Sequence, residues 1–380
     1  MKTRAAYYRY GTMLFACAFA AACAGFAAEP GVARVRSCEL APIGNPYFFM
    51  WWNAPAPSHA HFNKDRLPRH QTVNYVAARQ DRDWWLDRGV WPFGWSWGTQ
   101  EDAPFHSADE YAAYMAGHIG RGAPGICFDE WVNSDGKNPK NALLAEACRR
   151  VKAAHPDFFI GAFTHMQSAA LVEALKEGWV DLAIIESYPH VAGEPAWTPE
   201  LALWRLGLAK KAGVLEQTIP ALWIQPEDRT FSAAWLERWL KRFRKDFPQM
   251  PGLAPLFPDG HDTADPRTLE LTRVCDELRH NYYVEPAPRV EILEPANGAT
   301  VETGTIEVVA RADQPVQRWE LYRDAERVAV RRDTKEGALH RFGNIQAAAG
   351  RRVLTLHAVS PDWHRSAAQV SVRVVPLEKP

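Results

Sequence analysis

Residues 125–131 read GICFDEW, a short apolar run that ends in two adjacent carboxylates and a tryptophan. Seven residues are too few for a globular helix, and the run lacks the apolar–polar alternation of a half-exposed strand. It reads as a strand buried on both faces, the kind found in parallel sheets. A carboxylate inside such a strand is expensive to bury unless it is paired or used. Asp129 and Glu130 therefore mark the carboxyl end of this strand as a candidate site. Neighbouring strand residues point to opposite faces, so only one of the pair aims at a given face unless the chain turns there.

Outward from this stretch, the same kind of run recurs. Eight are present: YFFMWWN (47–53), TVNYVAA (72–78), VWPFGWSWG (90–98), GICFDEW (125–131), FFIGAFTH (158–165), LAIIESYPH (182–190), TIPALWIQP (218–226) and GLAPLFPDG (252–260). Amphipathic helical stretches separate the later ones. SADEYAAYMAGHIG (107–120) carries Ser107 as N-cap with Glu110 three residues on, the pattern of a capping box. NALLAEACRRVKAAH (141–155), SAALVEALKEG (168–178) and SAAWLERWLKRFRKDF (232–247) follow. Eight βα repeats in about 240 residues predict an α/β fold, a (β/α)8 TIM barrel over residues 28–284. The front is the weaker part, because APAPSHAHFNKDRLPRHQ after the first run has no helix signal. An open doubly wound sheet is the alternative.

At VEPAPRVEILEPANGATVETG (284–304) the composition changes, and from there the period is two, as in TIEVVARA, QRWELYRD, RRVLTLHAV and AQVSVRVV. This predicts an all-β antiparallel sandwich of about seven strands over residues 285–380, with its own core and a stiff, proline-rich entry. The phrases VEILEPANGATV, WELYRDAERVA and AAAGRRVLTLHAVSPD resemble the bacterial immunoglobulin-like modules appended to secreted carbohydrate-active enzymes. That resemblance implies a spacer or docking platform without chemistry of its own.

The first residues, MKTRAAYYRYG followed by TMLFACAFAAACAGFAA, have the charged and then apolar regions of an export signal. Cleavage after Ala27 is expected, which gives a leader over residues 1–27 and a secreted or periplasmic protein; a lipid anchor at Cys23 is the lesser alternative. The apolar stretch is shorter than the ~20 residues that cross a bilayer, and no later segment qualifies, so no membrane span is expected. Loss of Lys2, Arg4 and Arg9 with the leader shifts the formal charge from −1 by three, to −4. No basic cluster accompanies the aromatics, so nucleic acid is not an expected partner. Cys38, Cys127, Cys148 and Cys275 are too scattered for a disulfide framework or a Cys-x-x-Cys metal site; a Cys38–Cys275 bridge is the one pairing that an exported chain makes plausible.

In a (β/α)8 barrel the carboxyl ends of the strands form the active face. The polar residues that end the runs are Asp129 and Glu130 on the fourth, Thr164 and His165 on the fifth, Glu186, Tyr188 and His190 on the sixth, Gln225 and Glu227 on the seventh, and Asp259 and His261 on the eighth. The segment 90–131 resembles the third and fourth βα units of the chitinase-like glycoside hydrolase barrels. It departs from them in placing Cys127 where that family has an Asp. The adjacent acidic pair is also similar to the Asn–Glu that ends the fourth strand in the large retaining glycosidase clan. That resemblance implies Asp129 in the Asn place, Glu130 in the acid/base place, and Glu227, a few residues late, in the nucleophile place.

Glycoside hydrolysis asks for two carboxyl groups across the scissile bond, one protonated and one ionised. Glu130 is the favoured acid, with Glu186 or Glu227 as partner and Asp129 hydrogen-bonding beside them. Of the 16 tryptophans, Trp51, Trp52, Trp91, Trp95, Trp97, Trp131 and Trp223 lie in or at the ends of the runs, where indole faces can stack on sugar rings. The expected substrate contacts are Trp97, Trp131, His165, Tyr188, Trp223 and Gln225, with a polysaccharide or glycan as partner and no cofactor or metal. Packing alone explains Trp235 and Trp239, which stand at helical spacing. A structural role for the carboxylates, Asp129 as a loop cap and Glu186 in an arginine pair, is the plain alternative. A non-catalytic carbohydrate-binding barrel is a second. The third is an amidohydrolase-like metal site: His59 and His61 after the first run, with His165, His190 and Asp259, follow that family's strand order, although the bridging Lys of the fourth strand is missing.

Overall fold

The computed structural model describes residues 48–50, 73–76, 90–123, 125–131, 138–186, 199–223, 231–256, 266–279, 281, 288–302, 304–323, 326–334 and 339–376. Each of the eight apolar runs contains a strand: β1 (Phe48–Met50), β2 (Val73–Val76), β3 (Val90–Trp97), β4 (Gly125–Trp131), β5 (Phe159–Thr164), β6 (Leu182–Ile185), β7 (Thr218–Trp223) and β8 (Ala254–Leu256). They pair in parallel in chain order, and β8 returns to β1 through Leu256 and Met50, so the sheet closes on itself. The open doubly wound alternative is thereby replaced by a closed one.

Helices follow β3 to β8: α1 (Ala108–Gly120), α2 (Pro139–Ala154), α3 (Ala169–Lys176), α4 (Pro199–Ala212), α5 (Ala233–Asp246) and α6 (Pro266–Arg279). The capping box forms as read: Ser107 Oγ accepts from the Glu110 N–H, and the Glu110 carboxylate accepts from the Ser107 N–H. Asn138, Ser168 and Ser232 cap α2, α3 and α5 in the same way, each accepting from an N–H of the first turn. These caps satisfy N–H groups that a helix start otherwise leaves open. None of these helices is long and apolar enough to cross a membrane among the described residues.

Side-chain alternation sorts the strands into two layers. Phe128 meets Tyr111 of α1, with 6.2 Å between ring centroids, so it looks outward to the helices. Its neighbours Cys127 and Asp129 consequently look toward the barrel axis. On β3, Gly94 lies under the His118 ring of α1, where a Cβ would come within 2.5 Å of it. Phe93, Trp95 and Trp97 therefore share the inner face, and Phe93 stacks on Phe159 of β5 at 4.8 Å. Cys127 and Cys148 are buried free thiols. Cys275 is buried as well, while Cys38, its suggested partner, lies outside the described residues.

The second region has eight strands rather than about seven: β9 (Val290–Glu294), β10 (Thr300–Glu302), β11 (Gly304–Ala312), β12 (Val316–Arg323), β13 (Glu326–Thr334), β14 (His340–Ala347), β15 (Gly350–Val359) and β16 (Arg365–Val375). They form a five-stranded sheet in the order β10-β16-β15-β12-β13 and a three-stranded sheet in the order β14-β11-β9. All the pairs are antiparallel except β10 with β16, which is parallel. Trp319, Leu321, Val308, Phe342 and Leu356 build a core separate from that of the barrel.

Arg318, Glu320 and Tyr322 alternate with those core residues on β12, and Glu320 pairs in register with His357 of β15. The outer side of the five-stranded sheet thus carries polar groups that are nevertheless buried, Arg318 at 4% exposure. What covers them includes the barrel. Arg318 pairs with Glu216, in the 3-10 turn Leu215–Gln217 that precedes β7, and the Trp363 ring lies 5.7 Å from its guanidinium. Arg244, in the last turn of α5, donates to the carbonyl of Asp362.

Candidate active site at the carboxyl ends of strands four to six

β4 does not finish as a regular strand. Phe128 pairs with Ala162 of β5, yet Trp131 pairs with Thr164, so Asp129 and Glu130 together face the single residue Phe163. The extra residue makes a β-bulge, and Glu130 absorbs it with φ of +49°. A non-glycine residue in that region is strained by about 1–2 kcal/mol, which is tolerated only where the surroundings demand it. The demand is visible. The Gly98 N–H donates to the Asp129 carbonyl at 2.6 Å and the Thr99 N–H to the Glu130 carbonyl at 3.2 Å, which ties the loop after β3 to the bulge. Only glycine permits this approach, because a Cβ on residue 98 would sit 2.3 Å from the Asp129 carbonyl oxygen.

That loop is held in turn from the helix layer. The Tyr111 hydroxyl donates to the Gly98 carbonyl at 2.6 Å, and Asn138 Nδ2 donates to the Thr99 carbonyl. Lys140, in the first turn of α2, places Nζ on the carbonyls of Gln100, Glu101 and Ala103 at 3.0, 2.9 and 2.8 Å. On the other side of the bulge, Thr164 Oγ1 donates to the Trp131 carbonyl at 2.9 Å and accepts from the Met166 N–H at 3.0 Å. Met166 is a second non-glycine residue at positive φ, +59°. His165 stands between the two.

β6 delivers Glu186, whose N–H bonds the Thr164 carbonyl at 3.0 Å. It is wholly buried, and Asp129 is only 6% exposed. His165 Nε2 lies 3.5 Å from Glu186 Oε2, and Arg205 of α4 donates to the Glu186 carbonyl oxygen. Burial first, then the charges of Glu186 and Glu130, push the Asp129 carboxyl well above the usual carboxylate range. Hydrogen bonds from the Glu130 N–H and the Trp95 side chain oppose that rise without overcoming it. Burial followed by the same acidic neighbours, Asp129 and Glu186, pushes the Cys127 thiol up as well. The result is one buried acidic interior at the carboxyl ends of β4 and β6. It is bordered by Trp95 and Trp97, whose rings meet edge to face at 4.8 Å.

Asp129, Glu130, Glu186, His165 and Trp97 are thus gathered in one region of the barrel. Trp131 is wholly buried in the barrel core, so its indole packs rather than lining an open surface as expected. Tyr188, Gln225 and Glu227 lie outside the described residues, as does the side chain of Trp223, whose backbone ends β7. Of the residues suggested for a metal, His59, His61, His190 and Asp259 lie outside them too. Among the described residues no three His, Cys, Asp or Glu side chains are grouped to hold a metal ion. Sequence reading placed Thr164 among the polar strand ends but did not assign Gly98, Lys140 or Arg205 to the site. Trp95 is among the strand tryptophans read as able to stack on a sugar, whereas nothing in the helix Pro199–Ala212 singles out Arg205.

No protein-family model matches the chain, and no curated protein matches it. Among solved structures it is similar to the endo-beta-1,4-mannanase from Thermotoga petrophila, at 11% identity over 83% of this chain and 93% of that one, with a TM-score of 0.36. It is also similar to a modular endo-beta-1,4-mannanase from Cellulomonas fimi, at 12% identity over 90% and 98% of the two chains and a TM-score of 0.35. The Parabacteroides merdae beta-glucuronidase is similar at 11% identity, over 82% of this chain and 45% of that one, with a TM-score of 0.33.

Proposed function

We propose that this chain is a glycoside hydrolase that acts on a polysaccharide or glycan by carboxylate acid/base chemistry. In this reading the whole barrel is a (β/α)8 enzyme domain over residues 28–284, exported behind a leader of residues 1–27. Residues 285–380 are an immunoglobulin-like module that serves as spacer or docking platform. One observation carries the proposal: Asp129, Glu130 and Glu186 meet at the carboxyl ends of β4 and β6, beside the indoles of Trp95 and Trp97, on a backbone strained at Glu130. Strain and buried like charges are costly, and they persist where a site uses them.

Glu130 is the least buried of the three and the one able to meet a substrate in the barrel mouth, so it is assigned as general acid/base. Glu186 or Glu227 would be the second carboxylate. Glu130→Gln keeps the volume and removes the transferable proton. Turnover of a natural glycan should fall by ~10²–10⁴, the usual worth of acid/base assistance. Binding should survive, and the bond-cleavage step on an aryl glycoside with a good leaving group should be hurt far less. Full activity of Glu130→Gln on the glycan would remove Glu130 from the mechanism.

A further inference from the structure

The outer side of the five-stranded sheet carries a row of like charges. Arg318 stands opposite Arg332 of β13 and, through Val359 of β15, in line with Arg365 of β16. Arg332 is exposed, but Arg318 and Arg365 are each only 4% exposed. Like charges directly across a sheet repel, and a buried guanidinium is tolerated only where carboxylates pair it. Glu320, two residues along β12, comes within 2.9 Å of Arg318 Nε. A second carboxylate reaches Arg318 from the barrel, that of Glu216 in the turn Leu215–Gln217. The loop from Ser360 to His364 closes over the same arginine. The Ser360 N–H donates to the His364 carbonyl and the Trp363 N–H to the Ser360 carbonyl, both at 2.9 Å, and the His364 N–H donates to Ser360 Oγ at 3.0 Å. Trp363 holds φ of +67° there, a strained conformation for a non-glycine residue, and its ring lies 5.7 Å from the Arg318 guanidinium. The Asp362 carbonyl of this loop accepts from Arg244, whose Nη2 also lies 3.4 Å from His364 Nε2.

Both barrel residues belong to its amino-terminal end. The turn that carries Glu216 directly precedes β7, and Arg244 stands in the last turn of α5, the helix that leads into β8. Lys210, in the last turn of α4, donates to the Asp246 carbonyl at 3.0 Å and binds these helix ends into one surface. We infer that the second region docks on this amino-terminal face of the barrel, through Arg318 and the loop Ser360–His364 against Glu216 and Arg244, and that the two move as one body. Asp129, Glu130 and Glu186 lie at the opposite ends of the strands, so the docking leaves them uncovered. It makes residues 285–380 a base fixed to the barrel rather than a hinged spacer. The inference rests on these contacts and not on the hydrolase reading.

Backbone 15N relaxation of the full chain tests this without any substitution. Amides of β3 to β7 and amides of β11 to β16 should report one rotational correlation time. A shorter time for the second region overturns the inference, and because the measurement is made on the wild-type protein it does not depend on a variant that folds. Glu216→Gln combined with Arg244→Met removes the two charged contacts on the barrel side. The second region should then lose the shared time and tumble faster than the barrel. Hydrogen exchange at Ser360, Trp363 and His364 should lose protection while β15 and β16 keep theirs. A shared time and protection both unchanged in the folded double variant overturn the assignment of the docking to Glu216 and Arg244. Neither readout involves turnover. One correlation time in a protein that cleaves no glycan would sink the hydrolase reading and leave the docking standing, and two times in an active glycosidase would do the opposite.

Discussion

At Glu130 the local and the global demands on one residue conflict. Its φ of +49° costs energy that glycine would avoid, yet glycine would delete the carboxylate. Glu130→Ala keeps the strain and loses the carboxylate, whereas Glu130→Gly loses both. In denaturant unfolding, Glu130→Gly should be more stable than Glu130→Ala by about 1 kcal/mol, the penalty of a left-handed backbone less glycine's greater freedom when unfolded. Equal stabilities, or the opposite order, would mean that the bulge relaxes when the side chain is cut back. Residue reading of the sequence selected Asp129, Glu130 and Glu186 because buried charge in an apolar run is conspicuous. It placed Trp131 in the cleft because tryptophan at a strand end looks the same whether it stacks on a sugar or packs in a core. The bulge decided that, by setting Trp131 level with Thr164 inside the core.

Between elements, the geometry of the site is transmitted by the loop from Gly98 to Ala103, and α2 holds that loop. Three carbonyls converge on Lys140 Nζ, and hydrogen bonds to a charged donor contribute about 1.5–3 kcal/mol. Lys140→Met keeps the stem and removes the donor. It should lower stability by about 2 kcal/mol and free the loop, so that the Gly98–Asp129 and Thr99–Glu130 bonds lose protection in amide hydrogen exchange while β5 and β6 keep theirs. Unchanged exchange at Gly98 and Thr99 would show that the bulge holds the loop unaided. The strands and most helices were legible, with the Ser107 cap, because hydrophobic period and capping chemistry are local, although the second helix starts two residues before its expected beginning and is capped by Asn138. The Lys140 clamp was not, since nothing in NPKNALL ties it to residues forty positions earlier.

On the scale of the whole molecule, titratable groups buried in the barrel and in the region after residue 290 make stability depend on pH. Burial holds His118 of α1 and His357 of β15 at about 4, below their ordinary 6.5. Each stays neutral in the folded protein, so between pH 6.5 and about 4 the unfolded chain binds more protons and stability falls as pH falls. The full shift is worth about 3 kcal/mol for each histidine. Burial alone would raise Glu320, but Arg318 and Arg365 hold it at about 2, so its contribution, present above the ordinary 4.5, is lost as pH falls from there toward 2. Denaturant midpoints measured from pH 7 to 4 should therefore drop steadily, and His118→Asn should remove roughly half of the drop between 6.5 and 4. A flat profile over that range would show that neither histidine is held neutral.

The amino-acid sequence by itself determined the order and type of the elements. Apolar runs of strand length alternate with capped amphipathic helices up to about residue 284, and a period of two follows, because these patterns depend only on neighbours along the chain. It also marked the acidic ends of β4 and β6, since a carboxylate in a buried strand must have a reason. Closure of the sheet through Leu256 and Met50, the bulge that turns Glu130 aside from Asp129, the siting of Arg205 and His165 against Glu186, and the pairing of Arg318 with Glu216 were decided only by the tertiary structure. Each joins residues far apart or separated by a register shift. Their energies come from burial and from charges brought together in space, which no local pattern encodes.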